Sequence, residues 1–142
     1  MPEILSIKNV TAHRMFGAAQ PGIFHHTITA MPMHPVDEIV IRSITWNGVS
    51  NDDMMHLLWS NITNDIVGSF CGASISPIHL GTRIVLTHPP PNVLEFKLMH
   101  STIKDDSQYE HNDAVVGDIA VHMEFISYKK PHCVNFSSYL NS

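Results

Sequence analysis

From Asp118 to Phe125 the chain alternates without a break. Ile119, Val121, Met123 and Phe125 fall on one face; Asp118, His122 and Glu124 fall on the other. Successive side chains leave a strand on opposite sides, so this period of two predicts a half-buried β-strand. Seven other short apolar runs precede it: Ile4 to Val10, Ile23 to Met31, Asp37 to Trp46, Met54 to Thr63, Ile66 to Ala73, Thr82 to His88 and Val93 to His100. None has helical period. In Val93 to His100 the pattern sends Leu94, Phe96 and Leu98 inward and Glu95 and Lys97 outward. Ile84 and Leu86 face inward, and Met55, Leu57 and Trp59 share one side of their run. Ile4 to Val10 reads as an edge strand.

The breaks have turn chemistry. Gly17 to Gly22, with Gln20-Pro21, reads as a loop, and Pro32 and Pro35 stop the second run because proline cannot donate to a ladder. Asn47-Gly48 is a strong turn signal and Asn64-Asp65 a tight polar break. Gly68 and Gly72 mark a bulge or a close backbone approach. Ser74 to Gly81 reads as a loop, and Pro89-Pro90-Pro91-Asn92 as a stiff connector. Ser101 to Gly117 is the longest polar stretch, a loop with one helical turn around Ser107 to His111. Eight strands at a spacing of roughly eight to twelve residues predict an all-β fold: an antiparallel two-sheet β-sandwich, eight-stranded and of jelly-roll type. Short connections require antiparallel pairing. No break looks like a linker, so residues 1–142 are expected to form one domain, with 131–142 as a C-terminal tail.

Composition narrows the function classes. Charged residues make only 15% of the 142 positions, against an average of about 25%. A surface so poor in charge is economically explained if part of it is covered by neighbouring subunits. The net charge is −5 with neutral histidines, and the densest basic stretch is Lys129-Lys130. Nucleic-acid binding needs many phosphate-neutralising charges, so no direct nucleic-acid contact is expected. No apolar run reaches membrane-spanning length, and Met1-Pro2-Glu3 does not open a signal peptide. Cys71 and Cys133 are read as reduced, with Cys71 facing the core.

Candidate chemistry is sparse. His25 and His26 are adjacent and point to opposite faces of a strand. His88, His100, His111 and His122 are dispersed. His122 and Glu124 share a face and could form part of a metal site, but no third ligand is identifiable. The acid pairs Asp52-Asp53 and Asp105-Asp106 lack the loop pattern of a calcium site. Ser69, Ser74 and Cys71 lack the context of a nucleophile. Trp46 and Trp59, with Phe16, Phe24, Phe70 and Tyr109, are core or ligand-facing, and Trp59 is the residue singled out as a candidate ligand or receptor contact. No catalytic residue, cofactor or metal is assigned, and no enzyme is expected.

The stretch Asp37-Glu38-Ile39-Val40-Ile41-Arg42-Ser43-Ile44-Thr45-Trp46-Asn47-Gly48, then Leu57-Leu58-Trp59-Ser60-Asn61-Ile62 with Gly68-Ser69-Phe70, then Gly117 to Phe125, resembles β-sandwich domains in capsid or surface proteins of virophage and polinton-like eukaryotic DNA viruses. The resemblance is one of pattern and order over about Asp37 to Lys130. It implies a jelly-roll virion component: a capsid, minor capsid, cement or spike-head subunit. Such a subunit would assemble as a homo-oligomer, a trimer or pentamer, with other capsid proteins, in host cytoplasm or nucleus. The chain is much shorter than the penton and major capsid proteins of that group. Contacts are expected at Pro32 to Val36, Pro89 to Asn92 and the termini. Two other classes stand beside this one: a carbohydrate- or receptor-binding module using Trp59, and a small cupin-like metal enzyme using His122 and Glu124.

Overall fold

A computed structural model describes residues 3–28, 34–48, 54–71, 77–105, 108–112 and 114–129, with side chains described except at 18–20, 54, 71, 100–105, 108–112 and 114–116. The strands are β1 (Ile4–Pro21), β2 (Ile23–Thr27), β3 (Glu38–Gly48), β4 (Met54–Ser60), β5 (Asp65–Cys71), β6 (Ile78–Val85), β7 (Val93–Asp105), β8 (Gln108–Asn112) and β9 (Ala114–Tyr128). One sheet has the order β1-β9-β3-β6 and the other β2-β7-β4-β5, with β8 paired to β7. Every pairing is antiparallel. Apart from the β4–β5 and β7–β8 hairpins, consecutive strands cross from one sheet to the other. This is the jelly-roll order of a double-sheet sandwich.

The inner faces of β7 and β9 are those the alternation predicted. Ile119, Val121, Met123 and Phe125 of β9, Ile39, Ile41, Ile44 and Trp46 of neighbouring β3, and Leu94, Phe96 and Leu98 of β7 in the other sheet share one core. Phe24 stacks on Phe96 with ring centroids 5.1 Å apart and meets Phe16 edge-on at 6.2 Å. Such ring pairs add to the burial of large apolar surface that drives the sheets together. β1 lies at an edge, as expected.

Four stretches differ from the sequence expectation. β1 does not end before Gly17 but pairs with β9 as far as Pro21, through a register shift between Phe16 and Gln20. Asn47-Gly48 is not a turn: it is the end of β3 and pairs with Asp118 and Gly117. Ile78 to Gly81 belongs to β6 rather than a loop. The polar stretch after Ser101 holds no helical turn at the described positions 108–112. β7 runs on to Asp105, and Gln108–Asn112 folds back on it as β8, so eight principal strands become nine with this short hairpin arm.

Two irregularities set side-chain direction. A bulge at Arg42 shifts the phase of β3, so that Ile39 and Ile41 before it and Ile44 and Trp46 after it all face inward. Gly68, opposite the register shift at Leu58/Trp59, lets Leu80 pack where a Cβ would stand. The β4–β5 turn is closed by Asn64 at a φ of 55°, a left-handed position that asparagine tolerates. Asn61 fastens this turn to β7, donating from Nδ2 to the Val93 carbonyl at 3.1 Å and accepting the Glu95 amide at 2.9 Å.

Candidate functional site

The two outer faces have opposite character. On the first sheet, outward positions of β1, β9 and β3 form a ladder of polar pairs. His13 pairs with Asp118, and Arg42 with Glu124. His122 sits between two hydroxyls, with Nδ1 3.2 Å from Thr11 Oγ1 and Nε2 3.3 Å from Thr45 Oγ1. The shared face of His122 and Glu124 is therefore real, but the ring nitrogens face threonines and the carboxylate faces an arginine. Among the described residues no group of three or more His, Cys, Asp or Glu is placed to hold a metal ion.

On the second sheet the outward row of β4 is apolar, while β7 sends Glu95 and Lys97 out beside Met99. Trp59, Leu57 and Met55 of β4 face out beside Met99 of β7, all half-buried. The register puts Leu57 opposite Met99, and Trp59 opposite Lys97. The Lys97 ammonium lies 4.7 Å above the Trp59 ring, a cation–π contact. Ile23 pairs with Lys97 on one side and Ile66 with Trp59 on the other, and both are exposed. A second apolar surface lies on the free edge of the first sheet. There Ile4, Leu5 and Ile7 of β1 are each about half exposed.

The remaining aromatics named from the sequence divide sharply. Trp46, Phe16, Phe24 and Phe70 are core, so Trp59 alone of those with described side chains reaches the surface. The side chains of Cys71, Tyr109, His100, His111 and Asp105 lie outside the described residues, as do Asp52, Asp53, Ser74, Asp106 and Cys133. His56, not singled out from the sequence, is fully buried on the inner face of β4. Its ring stacks on Phe70 at 4.6 Å and lies 5.5 Å from Trp46. The only signal for it was its place in step with Leu58.

A third feature is a cleft of about 500 Å³ at one end of the sandwich. It brings together two of the segments expected to make contacts: His34, Pro35 and Val36 on one wall, Pro89, Pro90 and Asn92 on the other. Ile28, Leu86 and Phe125 line it, and His88 and Asp37 contribute polar groups. Asp37 also holds the end of β9. Its carboxylate accepts the Tyr128 amide at 2.8 Å, and its own amide donates to the Ile126 carbonyl at 2.9 Å. Beside it, Glu38 is buried on the outer side of β3. Its carboxylate receives the Tyr128 hydroxyl at 2.7 Å and faces the Arg83 guanidinium at 2.9 Å. The hydrogen bond to Glu38, helped by burial and by the carboxylate's charge, holds the Tyr128 hydroxyl above the ordinary tyrosine value, against an opposing pull from Arg83.

No protein-family model and no curated protein matches the chain. It is similar in structure to the Drosophila NLP core, a protein described for pentamer formation and histone binding, at 11% identity over 87% of this chain and 98% of that one, with a TM-score of 0.42. It is also similar to a turnip yellow mosaic virus structure at 9% identity, over 94% of this chain and 86% of that one, with a TM-score of 0.30. A third similar structure comes from the disulfide-linked pili of Bacillus endospore appendages, at 11% identity over 88% and 89% of the two chains, with a TM-score of 0.29. No family or curated match supports the virophage or polinton-like resemblance. Likenesses this distant say nothing about function.

Proposed function

We propose that this protein is a non-enzymatic structural subunit that acts by assembling with copies of itself, and that its setting is a viral particle. One observation carries the reading: the contrast between the outer faces. The first sheet's polar ladder suits water, while the second sheet turns Met55, Leu57, Trp59 and Met99 outward, with Ile23 and Ile66 beside them. An outward apolar row that stays partly exposed, flanked by exposed Ile23 and Ile66, suits an association site. The viral setting rests on the jelly-roll order, which capsid and lectin domains share, and on the sequence pattern; a fold alone does not fix a function.

The apolar surfaces are two and unlike: the outer face of the second sheet, and the β1 edge at Ile4, Leu5 and Ile7. A contact between two different patches is head-to-tail, and it builds a ring where the rotation closes and an open filament where it does not, never a twofold dimer. That favours the trimer or pentamer over an isologous pair. Native mass spectrometry tests it with two variants, Leu57→Glu and Ile7→Glu. Each alone should be monomeric. Mixed, they retain one intact contact and should form a one-to-one dimer and nothing larger. A wild-type protein that stays monomeric at high concentration overturns the assembly reading.

The binding-module reading has its own observation, the outward Trp59. A glycan stacking on that ring competes with Lys97, which already covers it at 4.7 Å. Glycan-array signal abolished by Trp59→Ala would favour this reading over assembly.

A further inference from the structure

Each of the two apolar surfaces ends in charge. At the edge of the first sheet the register slips between Ile4 and Ser6, so that Ile4 lies opposite Tyr128 and Ile7 opposite Ile126. Tyr128 and Ile126 are two residues apart and share a face, so the slip turns Ile4 and Ile7 the same way, with Leu5 as the extra residue between them. All three are about half exposed. Next to Ile4 stands Glu3, whose side chain is 73% exposed and whose carboxylate lies 3.6 Å from the Lys129 ammonium. An ion pair this exposed holds its members weakly, and a carboxylate has lone pairs for a second cation.

On the second sheet the charge sits at the Trp59 end of the row. Lys97 is opposite Trp59 in register and holds its ammonium 4.7 Å above the ring. Glu95, two residues before it on β7, leaves the same face. A partner that covers Trp59 therefore covers Lys97, and an ammonium taken out of water must be given an anion. That requirement chooses among occupants. A purely apolar partner strands the charge. The β1 edge of a second copy brings Glu3 beside Ile4, with Lys129 to face Glu95. The lengths agree as well: at ~3.3 Å per residue, Ile4 to Ile7 spans about 10 Å and Met55 to Trp59 about 13 Å.

We infer that Glu3 of one copy pairs with Lys97 of the next, and that this ion pair fixes the register and polarity of the head-to-tail contact. Ile4 then sits over Trp59, and Ile7 reaches between Leu57 and Met55. The inference rests on the assembly reading above and adds which end of each patch meets which. Contact exchanges two water-exposed interactions, Lys97 with Trp59 and Glu3 with Lys129, for a charge-assisted hydrogen bond shielded from water. The same rule works against wrong alignments: with either patch reversed, Lys97 is covered and has no anion.

Native mass spectrometry over a concentration series tests it with Glu3→Lys, Lys97→Glu and the two combined, each first shown by circular dichroism to keep the wild-type fold. Each single variant should raise the concentration at which half the chains are assembled by about tenfold or more, because like charges then meet across the contact. The combined variant restores opposite charges and should return to within about threefold of the wild type. A wild type that stays monomeric throughout removes the assembly reading itself, and this pair with it. A wild type that assembles while either single variant matches it overturns the pair and leaves assembly standing. So does a combined variant that assembles no better than the single ones.

Discussion

Replacing Gly117 by alanine separates two costs that a glycine can hide. Gly117 has a φ of 148°, and an added Cβ would stand 2.5 Å from Gly48 Cα, 2.8 Å from Trp46 Cη2 and 2.9 Å from the Asn47 carbonyl oxygen. The backbone region alone costs an L-residue about 1–3 kcal/mol. The clash is with backbone of β3, which is fixed by the pairing of Gly48 with Gly117, and with the largest buried ring. Relieving it costs a further ~1–3 kcal/mol as overpacking. The sum, roughly 2–6 kcal/mol, is a large part of the stability of a domain this size. Gly81 isolates the first cost: its φ is 67° and nothing lies within 4 Å of an added Cβ. Gly81→Ala should cost about 1–2 kcal/mol. Gly17 has neither feature; Gly17→Ala should be neutral or stabilise by up to ~1 kcal/mol through the unfolded chain. Urea titrations with shared slopes rank the three. If Gly117→Ala falls within about half a kcal/mol of Gly81→Ala, a difference well below one overpacking penalty, then the close approach of β3 and β9 does not carry the weight assigned to it.

Other expectations follow from the same contacts. Leu98, fully buried in the core, should lose about 2–5 kcal/mol as Leu98→Ala, read from the urea midpoint. Arg83→Met leaves the buried Glu38 carboxylate without its cation; because Arg83 is 59% exposed, the loss should be only ~1–2 kcal/mol, larger than that of Glu38→Gln. The folded state holds the Tyr128 proton more tightly than the unfolded chain does. That stabilisation is complete below the ordinary tyrosine value of 10.0 and fades as pH rises through the higher folded value. A pH series of melting temperatures should show this fall in the wild type and a shallower one in Glu38→Gln. Thr11→Val with Thr45→Val removes both hydroxyls facing His122, and should change its ring chemical shifts while leaving the oligomer mass untouched.

β7 and β9 were legible because each of their faces meets one environment, apolar inside and polar or mixed outside, so alternation survives in the residues. β8 was not, because Gln108-Tyr109-Glu110-His111-Asn112 extends an edge and has no apolar register to display. The end of β1 was hidden by Gln20-Pro21-Gly22, residues that usually signal a loop. Here Gly22 serves a close crossing, its carbonyl accepting the Leu98 amide at 2.7 Å, and a Cβ would lie 2.2 Å from the Leu98 oxygen. The bulge at Arg42 was equally silent: Ile39, Ile41, Ile44 and Trp46 read as an uninterrupted β-branched run unless the phase shift is already known.

The site was half legible for a related reason. The chain marked Trp59 and the proline segments, but it could not say which side of β4 faces in. Judged alone, Met55, Leu57 and Trp59 make a better core face than His56, Leu58 and Ser60. The neighbours decide otherwise. His56 pairs with Phe70, Leu58 with Leu98 and Ser60 with Phe96, and these partners all point inward. A slip of one residue would turn β4 over, but it would have to be matched against two strands whose own inward faces are fixed. β4 therefore takes its direction from β5 and β7 and presents its more apolar side to the outside. That arrangement leaves an apolar row only partly covered within the single chain, and this is why the outward row of β4, rather than the polar ladder on the opposite sheet, is where a partner is sought.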